Sequence, residues 1–235
     1  MTEFEGSYPN SPLVEVVFEI RFPDEPSVDC KRDVFYEKIR GSFPRVLVPT
    51  TKEGGLAALE PYRFESEDKK RVLMIAMNRF AYSARQYARY EQFAAEALKW
   101  VILFSETYEL PRLNRTGLRY INIIRFSREG GLIPLHRFLK VKIDLPESFP
   151  DDFENLSLAF HSRTDGGSIT TKIEKVIAAD SSHEAILLDF DYAKDKDLRM
   201  DHIEEYLEES HANTKSFFEG LITEQYRQYL KGEVL

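Results

Sequence analysis

Two nine-residue stretches of this chain are variants of one strand. Residues 14–22 read VEVVFEIRF and residues 118–126 read LRYINIIRF, and both close on Ile-Arg-Phe. In the first copy Val14, Val16, Phe18, Ile20 and Phe22 fall on one face, while Glu15, Glu19 and Arg21 fall on the other, the period-two alternation of a half-buried strand. Downstream, Gly41-Ser42-Phe43-Pro44 is echoed by Glu147-Ser148-Phe149-Pro150. A strand repeated with its downstream marker predicts two related halves, and a chain of two such halves has few ways to fold.

The remaining patterns extend the repeat. After the first strand, Asp29 is placed to cap a helix reaching Arg40, with Val34, Phe35 and Ile39 inward. Residues 46–60 form a long connection containing Gly54-Gly55. Strands follow at 62–66, 71–77 and 80–84, and then the clearest helix in the chain. Tyr90, Phe93, Ala94, Ala97, Trp100, Val101, Phe104 and Tyr108 recur along it at helical spacing, and Pro111 closes it. In the second half, Gly130-Gly131 marks a turn, 135–140 a short helix, and Pro146 and Pro150 bracket a loop. Asp165-Gly166 joins a hairpin of 156–162 and 169–176. A strand at 185–192 follows, with Ile186, Leu188, Phe190 and Tyr192 inward. A helix at 199–221 and a last turn capped by Thr223 complete the half. Each half thus reads βαβββα. Because most connections are hairpins, the sheet is expected to be mainly antiparallel, with long helices on one face. The expected class is α+β, built from halves 1–112 and 113–235. No Gly/Ser- or Pro-rich linker separates them, so they form one continuous globular unit.

Composition bounds the partners. Hydrophobic residues make up 43% of the 235 residues and charged ones 31%, as in soluble globular proteins. The net charge of −8 disfavours a nucleic-acid binder driven by bulk charge. Cys30 is the single cysteine, which rules out an internal disulfide or a thiolate zinc cluster. The acidic start Met1-Thr2-Glu3-Phe4-Glu5 lacks the apolar run of a secretory signal, and no stretch has the length of a membrane helix, so the expected location is the cytoplasm.

Several segments resemble a sporadically distributed, uncharacterised bacterial family of about this length. They are residues 10–22 (NSPLVEVVFEIRF), 117–122 (GLRYIN), 62–66 (YRFES) and the pattern His211…Phe217-Phe218…Ile222-Thr223. The resemblance implies no particular activity. The scattered occurrence of such a family resembles that of accessory genes, including mobile, phage-defence and toxin–antitoxin genes. In element order alone, the halves are also similar to tandem TATA-binding-protein-like and helix-grip folds, and function does not travel with such an analogy.

Candidate sites are few. Asn122 stands where Phe18 stands in the first copy, a polar group on an apolar face. It either faces a cavity or partner, or bonds a neighbouring strand end. Arg85, Arg89 and Arg119, with Tyr82 interleaved, could bind phosphate or stack bases on a concave sheet. Alternatively the strand arginines pair with Glu15, Glu19 and Glu65 on a solvated face, the simpler account. Asp189, Asp191, Asp195 and Asp197 have oxygen ligands of the type that magnesium or calcium takes, yet lack a binding-loop pattern, and a charged strand edge explains them more simply. The histidines (136, 161, 183, 202 and 211) show no metal spacing, and there is no nucleophile elbow, phosphate loop or dinucleotide fingerprint. No catalytic residue, metal ligand or cofactor is therefore assigned. The C-terminal aromatics Phe217, Phe218, Tyr226 and Tyr229 exceed what one buried stripe holds and suit a protein contact. The expected function is a non-enzymatic interaction module binding a partner protein or itself. The alternatives are a ligand- or nucleic-acid-binding protein using the concave sheet and, last, a metal-dependent enzyme.

Overall fold

In the computed structural model, residues 8–49, 61–110, 112–150, 152–178, 183–196 and 198–234 are described. Gly54-Gly55, Pro111, Asp197 and the acidic start at 1–5 lie outside them. The described strands form one antiparallel sheet of nine. They are β1 (Leu13–Arg21), β2 (Arg45–Leu47), β3 (Tyr62–Glu65), β4 (Arg71–Ala76), β5 (Arg79–Ala84), β6 (Arg115–Arg125), β7 (Ser157–Arg163), β8 (Ser168–Ile177) and β9 (Glu184–Lys194). Their order is β2-β3-β4-β5-β1-β6-β9-β8-β7, which places the two strands of similar sequence, β1 and β6, side by side at the centre. The α+β class and the antiparallel sheet stand. Among the described residues six α-helices accompany it: α1 (Pro26–Cys30), α2 (Arg32–Ile39), α3 (Tyr90–Tyr108), α4 (Leu135–Phe138), α5 (Ile203–Leu221) and α6 (Glu224–Leu230).

Alternation decides which face the helices cover. In β1 Val16, Phe18 and Ile20 are buried beneath them, whereas Glu15, Glu19 and Arg21 turn to the other face. The same parity buries Leu118, Tyr120, Asn122 and Ile124 of β6, and Ile186, Leu188, Phe190 and Tyr192 of β9. Phe35 of α2 and Phe104 of α3 anchor a first core, in which Phe104 meets the rings of Phe22, Phe35, Phe80 and Tyr108. Ile203, Tyr206 and Leu207 at the start of α5 join that core, while Phe138, Phe190, Tyr226 and Leu230 belong to a second. Helix α5 therefore crosses from one core to the other.

Some local expectations are corrected. Val14 is 42% exposed, because the register with β6 shifts between Leu13 and Glu15 and the bulge turns it out of the apolar row. The first helix is broken in two. Pro26 stands at the start of α1, which Glu25 caps by accepting from Ser27 N, so Asp29 is free to pair with Arg32. Val34 is exposed, and α2 buries Phe35 and Ile39, one turn apart. Neither half has the strict βαβββα order: the first carries the extra edge strand β2 and a divided first helix, and the second ends in two helices, α5 and α6. Helix α3 ends on Glu109 in the left-handed region (φ 49°). Gly130 and Gly131, at φ 57° and 90°, close the Glu129–Leu132 bridge as a tight turn, as their pairing in the sequence predicts. Asp165 and Gly166 likewise sit at the tip of the β7–β8 hairpin, where Thr164 N donates to Gly167 O.

Candidate ligand cavity between the long helices

Helix α3 meets α5 over the centre of the sheet, and a cavity of about 170 Å³ lies beneath their junction. Its floor is Tyr120 and Asn122 of β6 and Phe190 of β9. Tyr87 and Arg89 just before α3 and Tyr90 and Glu91 in its first turn line it on one side, and His211, Thr214, Lys215, Phe218 and Glu219, from the middle of α5 to its last turn, on the other. The segment Tyr8–Leu13 closes the remaining side. It is tied down where Tyr8 Oη donates to Glu219 Oε1 (2.6 Å), Asn10 Nδ2 to Tyr229 O (2.8 Å) and Asn10 N to Leu230 O (3.2 Å).

The interior is aromatic and uncharged. The rings of His211 and Tyr90 are stacked, with centroids 3.8 Å apart and planes 5° from parallel. His211 Nδ1 is 2.7 Å from Tyr120 Oη. Burial, with Lys215 adding to it, pushes His211 down to about 4, so its imidazole is neutral at neutral pH. Burial also raises Tyr120 far above the usual phenol range, and Tyr87, hydrogen-bonded to it, up to about 12. These hydroxyls are donors and neutral acceptors. Tyr90 Oη is buried without a hydrogen-bond partner, a costly state for a hydroxyl. Asn122 Nδ2 donates to Leu188 O (3.1 Å), in the middle of β9 rather than at a strand end, while the side chain lines the cavity.

The mouth holds the charges. Glu219 is engaged by Arg227 (Nε–Oε2 2.9 Å) and Tyr8. Arg89, Lys215 and Glu91 form no ion pair among the described residues. Arg89 also borders a second cavity with Asp68, Arg71, Tyr82 and Glu96, but Glu96 is paired with Arg71, and Asp68 accepts from Ser66 and Lys70 N.

The residues expected to bind together are divided between the faces of the sheet. Arg89 and Asn122 line the cavity. Tyr82 is core, packed on Phe93 and 2% exposed. Arg85 and Arg119 lie on the opposite face, near Glu15 and Asp189 respectively. That face is laced with charge pairs, as the simpler account predicts. Glu19 gathers Arg21, Arg79 and Arg115, while Glu65 approaches Arg45. Asp189 is not at an edge: β9 lies between β6 and β8, and Arg119 grips the buried carboxylate at 2.8 and 2.7 Å. Asp191 takes Arg115. Among the described residues no three His, Cys, Asp or Glu side chains are grouped to hold a metal ion. Of the C-terminal aromatics, Tyr226 is core, Phe218 lines the cavity, Tyr229 stacks on Tyr226, and Phe217 alone is classed as exposed, at 37%. Sequence reasoning missed Tyr90, Tyr120 and His211 as one cluster. The one local signal was Asn122 on an apolar face.

The fold and the cavity define an α+β protein with a mixed aromatic and polar chamber between its two long helices. No family model matches the chain, and no curated protein matches it. Among the described residues, no helix is long and apolar enough to cross a membrane.

Proposed function

We propose that this protein binds a small molecule in the cavity between α3 and α5, at the seam of two halves descended from one repeat. The observation that carries the reading is the stacked Tyr90–His211 pair beside the partnerless Tyr90 hydroxyl, in a chamber floored by Tyr120 and Asn122. A concave site with a few convergent polar groups is where ligands bind by default. The seam reading is supported by the strand register. The copied stretches align Val16 with Tyr120, and these two residues are register partners, flanked by Glu15–Ile121 and Val17–Arg119. A two-fold through the Val16–Tyr120 pair therefore exchanges β1 and β6, as it would in a fused duplicate. The ligand-binding alternative of the sequence is thereby moved from the concave sheet to the helical side. The nucleic-acid version loses support, because most of the arginines of the sheet face are engaged by carboxylates.

Ligand-observed NMR with a fragment library on the full chain tests the proposal. Binding fragments are expected to shift the Tyr90, Tyr120 and His211 signals, and to be lost in Thr214→Phe, which fills the chamber. Asn122→Leu is the second variant should the first not fold. Fragments that bind these variants unchanged, or none that reach those signals, would sink the reading.

A second reading keeps the interaction module of an accessory bacterial system. It is favoured by the two sheet edges, where Val46, Leu47 and Val48 in and beside β2, and Phe160 on β7, are 41–63% exposed. Edge strands with apolar side chains accept a further strand from a partner or a second copy. Monomeric elution at high concentration, with no partner recovered through β2 or β7, speaks against it.

A further inference from the structure

Resting on the cavity reading, we infer that the ligand is a flat organic monocarboxylate, its carboxylate at the mouth between Arg89 and Lys215 and its planar body inside against Tyr90, Tyr120 and Phe190.

The charge at the mouth selects the anion. Of the four charged side chains lining the cavity, Glu219 is held by Arg227, which also pairs with Glu224, whereas Arg89, Lys215 and Glu91, two positive and one negative, have no ion pair among the described residues. The surplus of one positive charge matches a carboxylate. A phosphate monoester, near two negative charges at neutral pH, overshoots it. Guanidinium and ammonium donors both suit a carboxylate, and their place at the rim spares the ligand's charge the cost of full desolvation.

The interior selects the shape. It contains no charged group, because His211 is neutral and bonded to Tyr120. A charged end therefore has no partner inside and stays at the mouth. The chamber walls are rings, Tyr87, Tyr90, Tyr120, Phe190, His211 and Phe218, two of which already stack at van der Waals distance. Such walls favour a flat body. The Tyr90 hydroxyl, buried without a partner, is a donor for an oxygen or nitrogen on that body.

The test titrates four probes into the full chain by protein-observed NMR, at low and high salt: benzoate, benzamide, phenyl phosphate and acetate. Benzoate is expected to bind about tenfold more tightly than benzamide, the neutral isostere, and than acetate, which lacks the ring. The preference should shrink in high salt, which screens the exposed rim. R89Q/K215Q should abolish the preference for benzoate while leaving benzamide binding as it was. Equal binding of benzamide and benzoate overturns the assignment of charge, and equal binding of acetate overturns the flat body. Tighter binding of phenyl phosphate overturns the carboxylate. Failure of all four probes to move the Tyr90 and His211 signals counts instead against the cavity as a ligand site.

Discussion

The imidazole of His211 lies flat on the ring of Tyr90, joining the middle of α5 to the first turn of α3 across the centre of the sheet. This contact makes the protonation of one side chain a property of the junction between the two long helices. Around the ring are Tyr90 and Glu91 from α3, Tyr120 from β6 and Lys215 from α5, and only Glu91 favours a proton on it.

Acid should loosen this junction. In the unfolded chain His211 takes up a proton near its ordinary value of 6.5, and in the folded protein only near 4. Between those values the unfolded state binds more protons, so this contribution is fully present above about 6.5 and is lost as pH falls toward 4. The difference in urea midpoint between the native chain and His211→Leu should be constant above about pH 6.5 and shift against the native chain as pH falls toward about 4. Parallel pH dependence of the two would rule out the linkage.

Removing Arg119 should cost more than removing its partner's charge. Asp189 is 3% exposed and held by two guanidinium nitrogens, Nε and Nη2, so Arg119→Ala leaves a buried carboxylate unpaired, at a cost of about 2 kcal/mol or more. Asp189→Asn releases a half-exposed arginine to water and should cost less, and the double variant should recover part of the loss. A double-mutant cycle by chemical denaturation gives the comparison.

Phe104 is fully buried at the meeting of four other rings. Phe104→Ala should destabilise by about 3–5 kcal/mol through lost burial and the cavity left behind. Thermal or urea unfolding measures it, and a loss under about 1 kcal/mol would show that the first core collapses around the gap.

Gly167 closes the β7–β8 hairpin where no side chain fits. A Cβ there would stand 2.3 Å from the backbone oxygen of Ala193 in β9. Gly167→Ala should cost about 1–3 kcal/mol and raise amide exchange along β7, which has a hydrogen-bonded neighbour on one side alone. Gly41, with nothing within 4 Å, is the control position and should tolerate alanine.

Much of the fold was legible because strand alternation and helical spacing are local. Phe18 and Phe104 declare their inward faces through neighbours two, three or four residues away. Parity also contained a warning about the binding set. Arg119 and Asn122 are three apart in one strand, and Arg85 follows Tyr82 by three just past the end of β5, so neither pair shares a face. The bulge at Val14 escaped, since it depends on the register with β6, and so did the extra strand β2, whose three residues are too few to show a period.

By itself the sequence determined the class of fold, most of the inward positions of the long elements, the tight turns at Gly130-Gly131 and Asp165-Gly166, and the likeness in sequence of the strands that become β1 and β6. Tertiary structure alone decided that those strands lie side by side, that α5 bridges two cores, and that Tyr8, Tyr90, Asn122 and His211 enclose one chamber. The physical reason is range. Periodicity records which side of an element is apolar, whereas a cavity forms where several apolar sides fail to meet, and that depends on helix crossings and strand order that no local pattern encodes.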